Sequence, residues 1–178
     1  MFIGAEYCPY CAVERWAVVL ALMRFGRLDG LRLMTSSASD LAPNTATFTF
    51  AGARYQSPYV AFDAVEMTTN RLGPSGAYAP LQSLTAGEEA VFRRYDPGQA
   101  IPFLAMGEAR VTGVLIGAPY DPAALAGMGW GEVSRAVLAA AEGDRSAAPW
   151  ASAIVSQAGG IVAGICRADG GRPREACG

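Results

Sequence analysis

The pattern of apolar and polar positions predicts short strands and helices from the first residues onward. Residues 2–5 form a brief apolar run that predicts a strand. Residues 9–25 have the length and the good helix formers of a largely buried helix, which Gly26 stops. After a turn, residues 31–34 predict a second strand. The chain is therefore expected to open as a β-α-β unit.

The middle of the chain predicts strands separated by loops. The polar stretch 35–44 is predicted as a loop, and residues 45–50 alternate as a half-buried strand does. The β-rich segment 55–67 predicts a hairpin-like elaboration. Residues 69–84 are rich in Gly, Pro, Ser and Tyr and predict a long loop. We therefore expect an insertion at about residues 36–84.

The second half predicts a helix, a hairpin and then further helices. Thr85 and Glu88 have the spacing of a capping box, so a helix is expected over residues 86–95. Apolar segments at 101–106 and 110–116, around a Gly107-Glu108 turn, predict an antiparallel hairpin. The remaining predicted elements are a helical turn from residue 121 and helices over 130–141 and 149–166.

The composition supports a packed globular core, since 52% of the 178 residues are hydrophobic and 17% are charged. The net charge is -2 and the basic residues are scattered without a run, so nucleic acid is not expected as a partner. The longest strongly apolar run, residues 16–23, is far short of the roughly 20 residues that span a bilayer. We therefore expect no transmembrane helix.

Candidate chemistry comes from four cysteines and the absence of histidine. Cys8 and Cys11 form a Cys-x-x-Cys motif where the first predicted strand meets the first helix. The unsatisfied N–H groups at a helix start favour a thiolate, so Cys8 is the expected nucleophile and Cys11 the resolving cysteine. Ser-His and Cys-His activation are excluded because they require histidine.

Two other interpretations of the motif are a structural disulfide and half of a zinc site. Zinc usually takes four ligands, and the spacing of Cys166 and Cys177 does not supply the second half of such a site. No metal and no cofactor are therefore expected. Thiol–disulfide exchange is the preferred interpretation.

Two segments resemble the thioredoxin-like superfamily. Residues 2–11 resemble its strand-to-active-site segment, and Cys-Pro-Tyr-Cys is a dithiol motif common in glutaredoxins. Residues 100–103 resemble its cis-proline segment. The resemblance implies that Pro102 lies beside the nucleophilic sulfur and that the backbone of Ile101 pairs with the substrate as an added strand.

The aromatic residues around the motif allow two interpretations. Tyr7 and Tyr10 bracket Cys8 and could line a substrate groove or simply pack. Trp16 is predicted in the core, and Glu14 and Arg15 on a solvated edge of the helix. Glu6, the carboxylate nearest to the motif, is predicted at the surface.

Longer stretches also resemble the domain of unknown function 929 family. These stretches are residues 3–16, 43–48 and 101–104, together with the late cysteine pair. The resemblance covers nearly the whole chain and implies little about activity. Members of that family often carry a membrane anchor ahead of the domain, so we expect a longer chain with an N-terminal anchor.

Cys166 and Cys177 flank a polar, Gly-rich segment and are predicted to form a structural disulfide that pins the end of the chain to its last helix. A second redox pair and two free thiols are the alternatives. A structural disulfide favours an oxidising compartment. The extracytoplasmic face of a membrane or the cell envelope is thus the expected location, with the cytoplasm as the alternative.

These observations together predict an α/β fold, a thioredoxin-like three-layer sandwich with a mixed central sheet, helices on both faces and a β/loop insertion. A single domain is expected over residues 1–178, with a C-terminal helical extension at 149–178. The predicted function is a thiol-disulfide oxidoreductase that acts on protein thiol/disulfide substrates and uses an unknown redox partner. The alternative is a non-catalytic binding module or a redox sensor with a structural disulfide.

Overall fold

A four-stranded mixed sheet of order β10-β9-β1-β6 is the centre of the fold in the computed structural model, which describes residues 1–107 and 110–178. β1 (Phe2–Gly4) pairs in parallel with β6 (Ala64–Glu66) and antiparallel with β9 (Phe103–Gly107). β9 also pairs antiparallel with β10 (Val111–Ile116). The predictions of a mixed α/β fold and of a mixed sheet are confirmed.

Six further strands form three antiparallel ribbons outside the central sheet. The pairs are β2 (Arg27–Asp29) with β5 (Arg54–Gln56), β3 (Arg32–Thr35) with β4 (Ala46–Thr49), and β7 (Thr68–Leu72) with β8 (Tyr78–Pro80).

Helices cover both faces of the central sheet. They are α1 (Pro9–Leu22), α2 (Ala86–Tyr95), α3 (Trp130–Ala141), α4 (Pro149–Ala168) and α5 (Arg174–Cys177), with a 3-10 turn at Pro122–Leu125. Phe2 and Leu104 point into the core shared with α1, α3 and α4. Ile3 and Phe103 lie on the opposite face, where Phe92 of α2 covers them. The alternation along β1 and β9 thus gives each face its own apolar core.

The strand that follows α1 in the central sheet is not the predicted one. Residues 31–34 were expected there, but β3 pairs with β4, and β6 is the parallel partner of β1. The hairpin predicted over residues 55–67 is also wrong, because β5 and β6 pair with different strands. β6 has three residues and ends in a carboxylate, Glu66, so a local pattern does not reveal it as a central strand.

The prediction of a loop over residues 69–84 is also largely wrong. β7 and β8 form a hairpin within it, and the ladder of β6 and β7 continues along β1, with N–H groups of Met67 and Glu6 donating to Gly4 and Thr68 at 2.8 and 2.9 Å. The hairpin predicted from residues 101–106 and 110–116 is present as β9 and β10. Glu108, part of its predicted turn, lies outside the described residues.

Helix α4 has the length and composition of a membrane-spanning helix, with 20 residues and a mean hydropathy of 1.3 over its best window. The length of the longest apolar run missed this helix, but core helices of soluble proteins pass the same test of length and composition, so the expectation of no transmembrane helix is not contradicted. Within the fold, α4 packs against α1 and α3 and contacts β9. It buries Trp150, Ile154 and Ile161, so it also has the contacts of a core helix.

Candidate functional site

Cys8 is the N-cap residue of α1, in the extended conformation that this position requires. Pro9 follows at the first helical position, where the missing N–H has no intrahelical partner to lose. The backbone N–H of Cys11 donates to the Cys8 sulfur at 3.2 Å. The Cys8 sulfur thus takes the place of the hydroxyl or carboxylate that usually satisfies a free N–H group at a helix start.

The two sulfurs of the motif have opposite electrostatics. The pKa of Cys8 is lowered because the Cys11 thiol and backbone donate hydrogen bonds to its sulfur and because Arg15 is positively charged, and these effects outweigh burial. Burial and donation to Cys8 raise the pKa of Cys11 well above its usual value. Cys8 is 5% exposed and Cys11 is fully buried. Both are free thiols, and Cys8 is the one disposed to ionise.

A glycine lets β1 pass close to the buried sulfur. A Cβ at Gly4 would lie 3.3 Å from the Cys11 sulfur and 2.7 Å from the ring of Phe2. The absence of a side chain at Gly4 therefore allows Cys11 and Phe2 to pack against the same stretch of strand.

Pro102 lies at the same end of the sheet as Cys8. Ile3 of β1 pairs with Phe103 of β9, so the residue before Phe103 is level with the end of β1, which leads to the motif. The Ile101–Pro102 peptide bond is cis, Pro102 is buried and Ile101 is half-buried. The structure therefore brings the predicted dithiol and the predicted substrate-binding segment to the same end of the sheet.

The two predicted tyrosines have different environments. Tyr10 is 41% exposed beside the motif. Tyr7 is half-buried and stacks on Tyr78 of β8, with ring centroids 4.2 Å apart and planes 8° apart. The Tyr78 hydroxyl donates to the Ser37 hydroxyl at 2.9 Å, and the Ser37 backbone donates to the Tyr7 carbonyl at 2.9 Å. Tyr7 therefore joins the motif to the β7–β8 hairpin.

The prediction that Glu14 and Arg15 form a solvated edge is wrong. Arg15 is fully buried and Glu14 is 1% exposed. Arg15 donates to both carboxylate oxygens of Glu66 at 2.8 and 2.6 Å, and to the Ala5 carbonyl at 2.7 Å. Glu14 accepts weak hydrogen bonds of 3.3 and 3.4 Å from Gln157 of α4. Trp16, predicted in the core, is 5% exposed, which confirms that prediction.

Sequence reasoning missed Glu66 and the buried role of Arg15. A signal was present, because α1 is apolar on every side around Glu14 and Arg15, and a helix of that kind is buried all round. A charged residue within it must then be paired or neutral. Glu6, predicted at the surface, is half-buried and accepts a hydrogen bond from Thr49 at 2.6 Å.

The second cysteine pair lies away from the dithiol. Cys166 of α4 and Cys177 of α5 are joined by a disulfide with a Cα–Cα distance of 5.7 Å. Arg24, just past the C-terminal end of α1, donates to the Glu175 carbonyl at 3.3 Å. A helix of 14 residues is about 21 Å long, so α1 separates the two pairs. Direct transfer between the sulfurs would need contact that this arrangement does not provide.

Comparison with known proteins gives a family match. The family model described as Domain of unknown function (DUF929) matches residues 1–90, half of the chain, including the dithiol, Arg15 and Glu66. No curated protein and no solved structure matches the chain. Within residues 1–107 and 110–178, no group of three or more cysteines and carboxylates is placed to hold a metal ion.

Proposed function

The chain belongs to the Domain of unknown function (DUF929) family, and from that premise we propose that it is a thiol-disulfide oxidoreductase of thioredoxin-like fold. Cys8 and Cys11 are its redox-active dithiol, and protein thiols and disulfides are its substrates. The mixed sheet with helices on both faces and the position of the dithiol between β1 and α1 support the proposed fold.

The observation that carries the proposal is the asymmetry of the two sulfurs. Cys8 accepts a hydrogen bond from the N–H of Cys11 at the start of α1 and has a lowered pKa, whereas Cys11 is buried with a raised pKa. A thiolate is the attacking species in exchange, and the second thiol has to wait until a mixed disulfide forms. An inert structural pair has no need of this difference.

The reaction requires two exchange steps. The Cys8 thiolate attacks one sulfur of a substrate disulfide, which forms a mixed disulfide and releases the other sulfur as a thiolate that takes a proton from water. Cys11 then loses its proton and attacks the Cys8 sulfur, and the second substrate sulfur leaves with a proton. The substrate gains two electrons and two protons, and the dithiol becomes a disulfide. The reverse sequence oxidises a substrate dithiol.

Ile101 and Pro102 are proposed to seat the substrate. Both lie at the end of the sheet where β1 leads into the motif. A substrate segment that pairs with the Ile101 backbone would present its disulfide to Cys8 by β-strand addition. Exposed Tyr10 provides an aromatic contact beside the entering chain.

The Cys166–Cys177 disulfide supports an oxidising compartment for the protein. We propose the extracytoplasmic face of a membrane or the cell envelope. A redox partner located there would regenerate Cys8 and Cys11 after each cycle.

The test is to trap the substrate intermediate. Cys11→Ser removes the resolving sulfur, so this variant should accumulate a mixed disulfide between Cys8 and a disulfide-bonded test polypeptide, detectable by mass spectrometry. Cys8→Ser should trap nothing, and Cys166→Ser/Cys177→Ser should reduce the polypeptide at the wild-type rate. The wild-type pair should equilibrate with thiol buffers at a potential between about -270 and -120 mV.

A structural pair would give the opposite results. A reduction potential well below about -300 mV, together with no trapped species in Cys11→Ser, would exclude exchange as the function. A non-catalytic binding module with a structural disulfide would then be the better interpretation. The β7–β8 hairpin, which the stack of Tyr78 on Tyr7 joins to the motif, would then form part of the partner surface.

A further inference from the structure

A buried ion pair lies next to the dithiol. Arg15 of α1 and Glu66 of β6 have fully buried side chains and are joined by two hydrogen bonds of 2.8 and 2.6 Å. Removing two charges from water costs several kcal/mol each, and their attraction offsets this only with good geometry. Such a pair is weak support for stability, so a role in the neighbouring chemistry has to be considered.

The pair is aligned with the two sulfurs. Cys8, Cys11 and Arg15 are spaced by three and four residues, which places them along one face of α1. The Arg15 guanidinium carbon is 5.9 Å from the centre of the Phe2 ring. The same ring and the Cys11 sulfur both contact the position where a Gly4 Cβ would lie. The guanidinium and the buried sulfur thus both lie near the Phe2 ring.

Arg15 has donor capacity that Glu66 does not use. Its Nη2 donates to Glu66 and to the Ala5 carbonyl, which is three residues before Cys8. Its Nη1 is buried and has no hydrogen-bond partner among the described residues. A buried donor without a partner is costly in a merely structural pair.

We propose that Arg15 stabilises the thiolate of Cys8 and that Glu66 limits this stabilisation, so that the pair sets the position of the thiol–disulfide equilibrium. The inference rests on the proposed function and identifies Arg15 and Glu66 as positioning residues for it. Oxidation of the dithiol removes two electrons and leaves no thiolate. The charge of Arg15 therefore favours the reduced form, and the charge of Glu66 favours the disulfide.

The electrostatics of the site agree with this assignment. Hydrogen bonds from Cys11 are the largest cause of the lowered pKa of Cys8, and the charge of Arg15 acts in the same direction on both cysteines. Tyr7, Tyr10 and Glu6 are the other titratable residues within two positions of Cys8. Burial raises the pKa of Tyr7. Glu6 accepts a hydrogen bond from Thr49.

The decisive result is the direction in which each of two substitutions changes the reactivity of Cys8. Arg15→Met removes the cation, and Glu66→Gln removes the anion while keeping the shape of the side chain. The alkylation rate of Cys8 with iodoacetamide is measured from pH 4 to 9 in reduced protein. We expect Arg15→Met to move the profile to higher pH, with at least about a tenfold slower reaction at pH 6, and Glu66→Gln to move it to lower pH.

An equilibrium measurement completes the test. In glutathione buffers, Arg15→Met should shift the dithiol towards the disulfide and Glu66→Gln towards the reduced form. The double variant Arg15→Met/Glu66→Leu, which loses both charges, should lie between the two single variants. The matched controls are Arg93→Met and Glu89→Gln, which remove the same charges from an exposed ion pair on α2 and should change neither measurement.

Shifts of the two single variants in the same direction, or shifts no larger than those of the controls, would overturn the proposal in favour of a structural pair. If Arg15→Met does not fold, Glu66→Gln decides, since a profile moved to higher pH or left unmoved contradicts the proposed sign. Opposite shifts in a protein that traps no substrate through Cys11→Ser would retain this inference and reject the oxidoreductase.

Discussion

The two ends of helix α1 place cysteines in contrasting environments. At the N-terminal end, Cys8 is an N-cap with a lowered pKa, and Cys11 is a fully buried free thiol. Beyond the C-terminal end, Arg24 contacts the segment that carries Cys177, which is bonded to Cys166. One pair is surrounded by helix N–H groups and buried charge, whereas the other closes a polar loop.

The difference shows that the chemistry of a cysteine pair depends on what surrounds it. A helix start and a nearby cation favour a thiolate at Cys8, whereas Cys166 and Cys177 are bonded to each other and have no thiol to ionise. We therefore expect changes near the N-terminal end of α1 to alter reactivity, and changes near its C-terminal end to alter stability alone. The following substitutions test this division, beginning with the largest expected effect.

Glu14→Gln should stabilise the protein most, because it removes a buried carboxyl from the middle of α1. Burial raises the pKa of Glu14 from 4.5 to about 8. Below about pH 4.5 the Glu14 carboxyl is protonated in both the folded and the unfolded chain and does not reduce stability. As the pH rises to about 8, the carboxyl ionises first in the unfolded chain, so the wild-type protein loses stability. The variant should gain about 3 kcal/mol over wild type at pH 7, and more at pH 9, in urea unfolding.

The stability difference between Glu14→Gln and wild type should disappear near pH 4. A difference that does not depend on pH would contradict the raised pKa. Cys8 reactivity should stay the same in this variant, since the introduced amide can keep the contact with Gln157. A changed alkylation rate would mean that Glu14, like its neighbour Arg15, acts on the Cys8 sulfur.

Gly26→Ala should destabilise the protein by about 2 to 3 kcal/mol, because an added Cβ would lie 2.2 Å from the backbone oxygen of Gln56 and 2.8 Å from the Cβ of Ser57. Chemical unfolding measures the loss. Gly87→Ala in α2 is the control, since a Cβ there meets nothing within 4 Å and should be neutral or slightly stabilising. Alkylation of Cys8 in the folded variant should match wild type, and a slower rate would mean that the two ends are coupled.

Cys166→Ser/Cys177→Ser should lower the free energy of unfolding by about 2 to 3 kcal/mol, because the disulfide closes a short loop with a sequence separation of 11. The thermal midpoint should fall accordingly. The reduction potential of Cys8 and Cys11 should be unchanged. A shifted potential or a slower exchange rate would show that the second pair relays electrons and would break the contrast between the two ends.

Tyr78→Ala should have the smallest effect on stability, about 1 to 2 kcal/mol, from loss of the stack on Tyr7 and of the hydroxyl bond to Ser37. Because Tyr7 would lose its cover, Cys8 alkylation should become faster. Tyr59→Ala, at an exposed position, is the control for removal of a tyrosine. Unchanged alkylation in Tyr78→Ala would place the hairpin outside the path to Cys8.

Locally determined elements could be predicted from the sequence. Pro9 at a helix start and the Thr85/Glu88 capping box act within one turn, and both helices begin where these signals place them. The alternating residues of β9 and β10 are close in the chain, so their hairpin also followed from the pattern.

Long-range pairings could not be predicted in the same way. β6 is far from its partner β1 in the chain, at a separation of more than half of residues 1–90. Its three residues are too few to show a period. Arg15 and Glu66 are 51 positions apart, so the apolar neighbours of Arg15 indicate its burial but not its partner. The stacked residues Tyr7 and Tyr78 are likewise distant in the chain, since the strands of the ribbons lie between them in the sequence.

The complete burial of Cys11 has a practical consequence for chemical labelling. The sulfur that reagents can approach in the reduced dithiol is that of Cys8, which is 5% exposed, while Cys11 is 0% exposed. We therefore expect the folded protein with a reduced dithiol to behave as a monothiol towards maleimides, with one label per chain while the Cys166–Cys177 bond is intact. A single probe attached in this way would report directly from the start of α1.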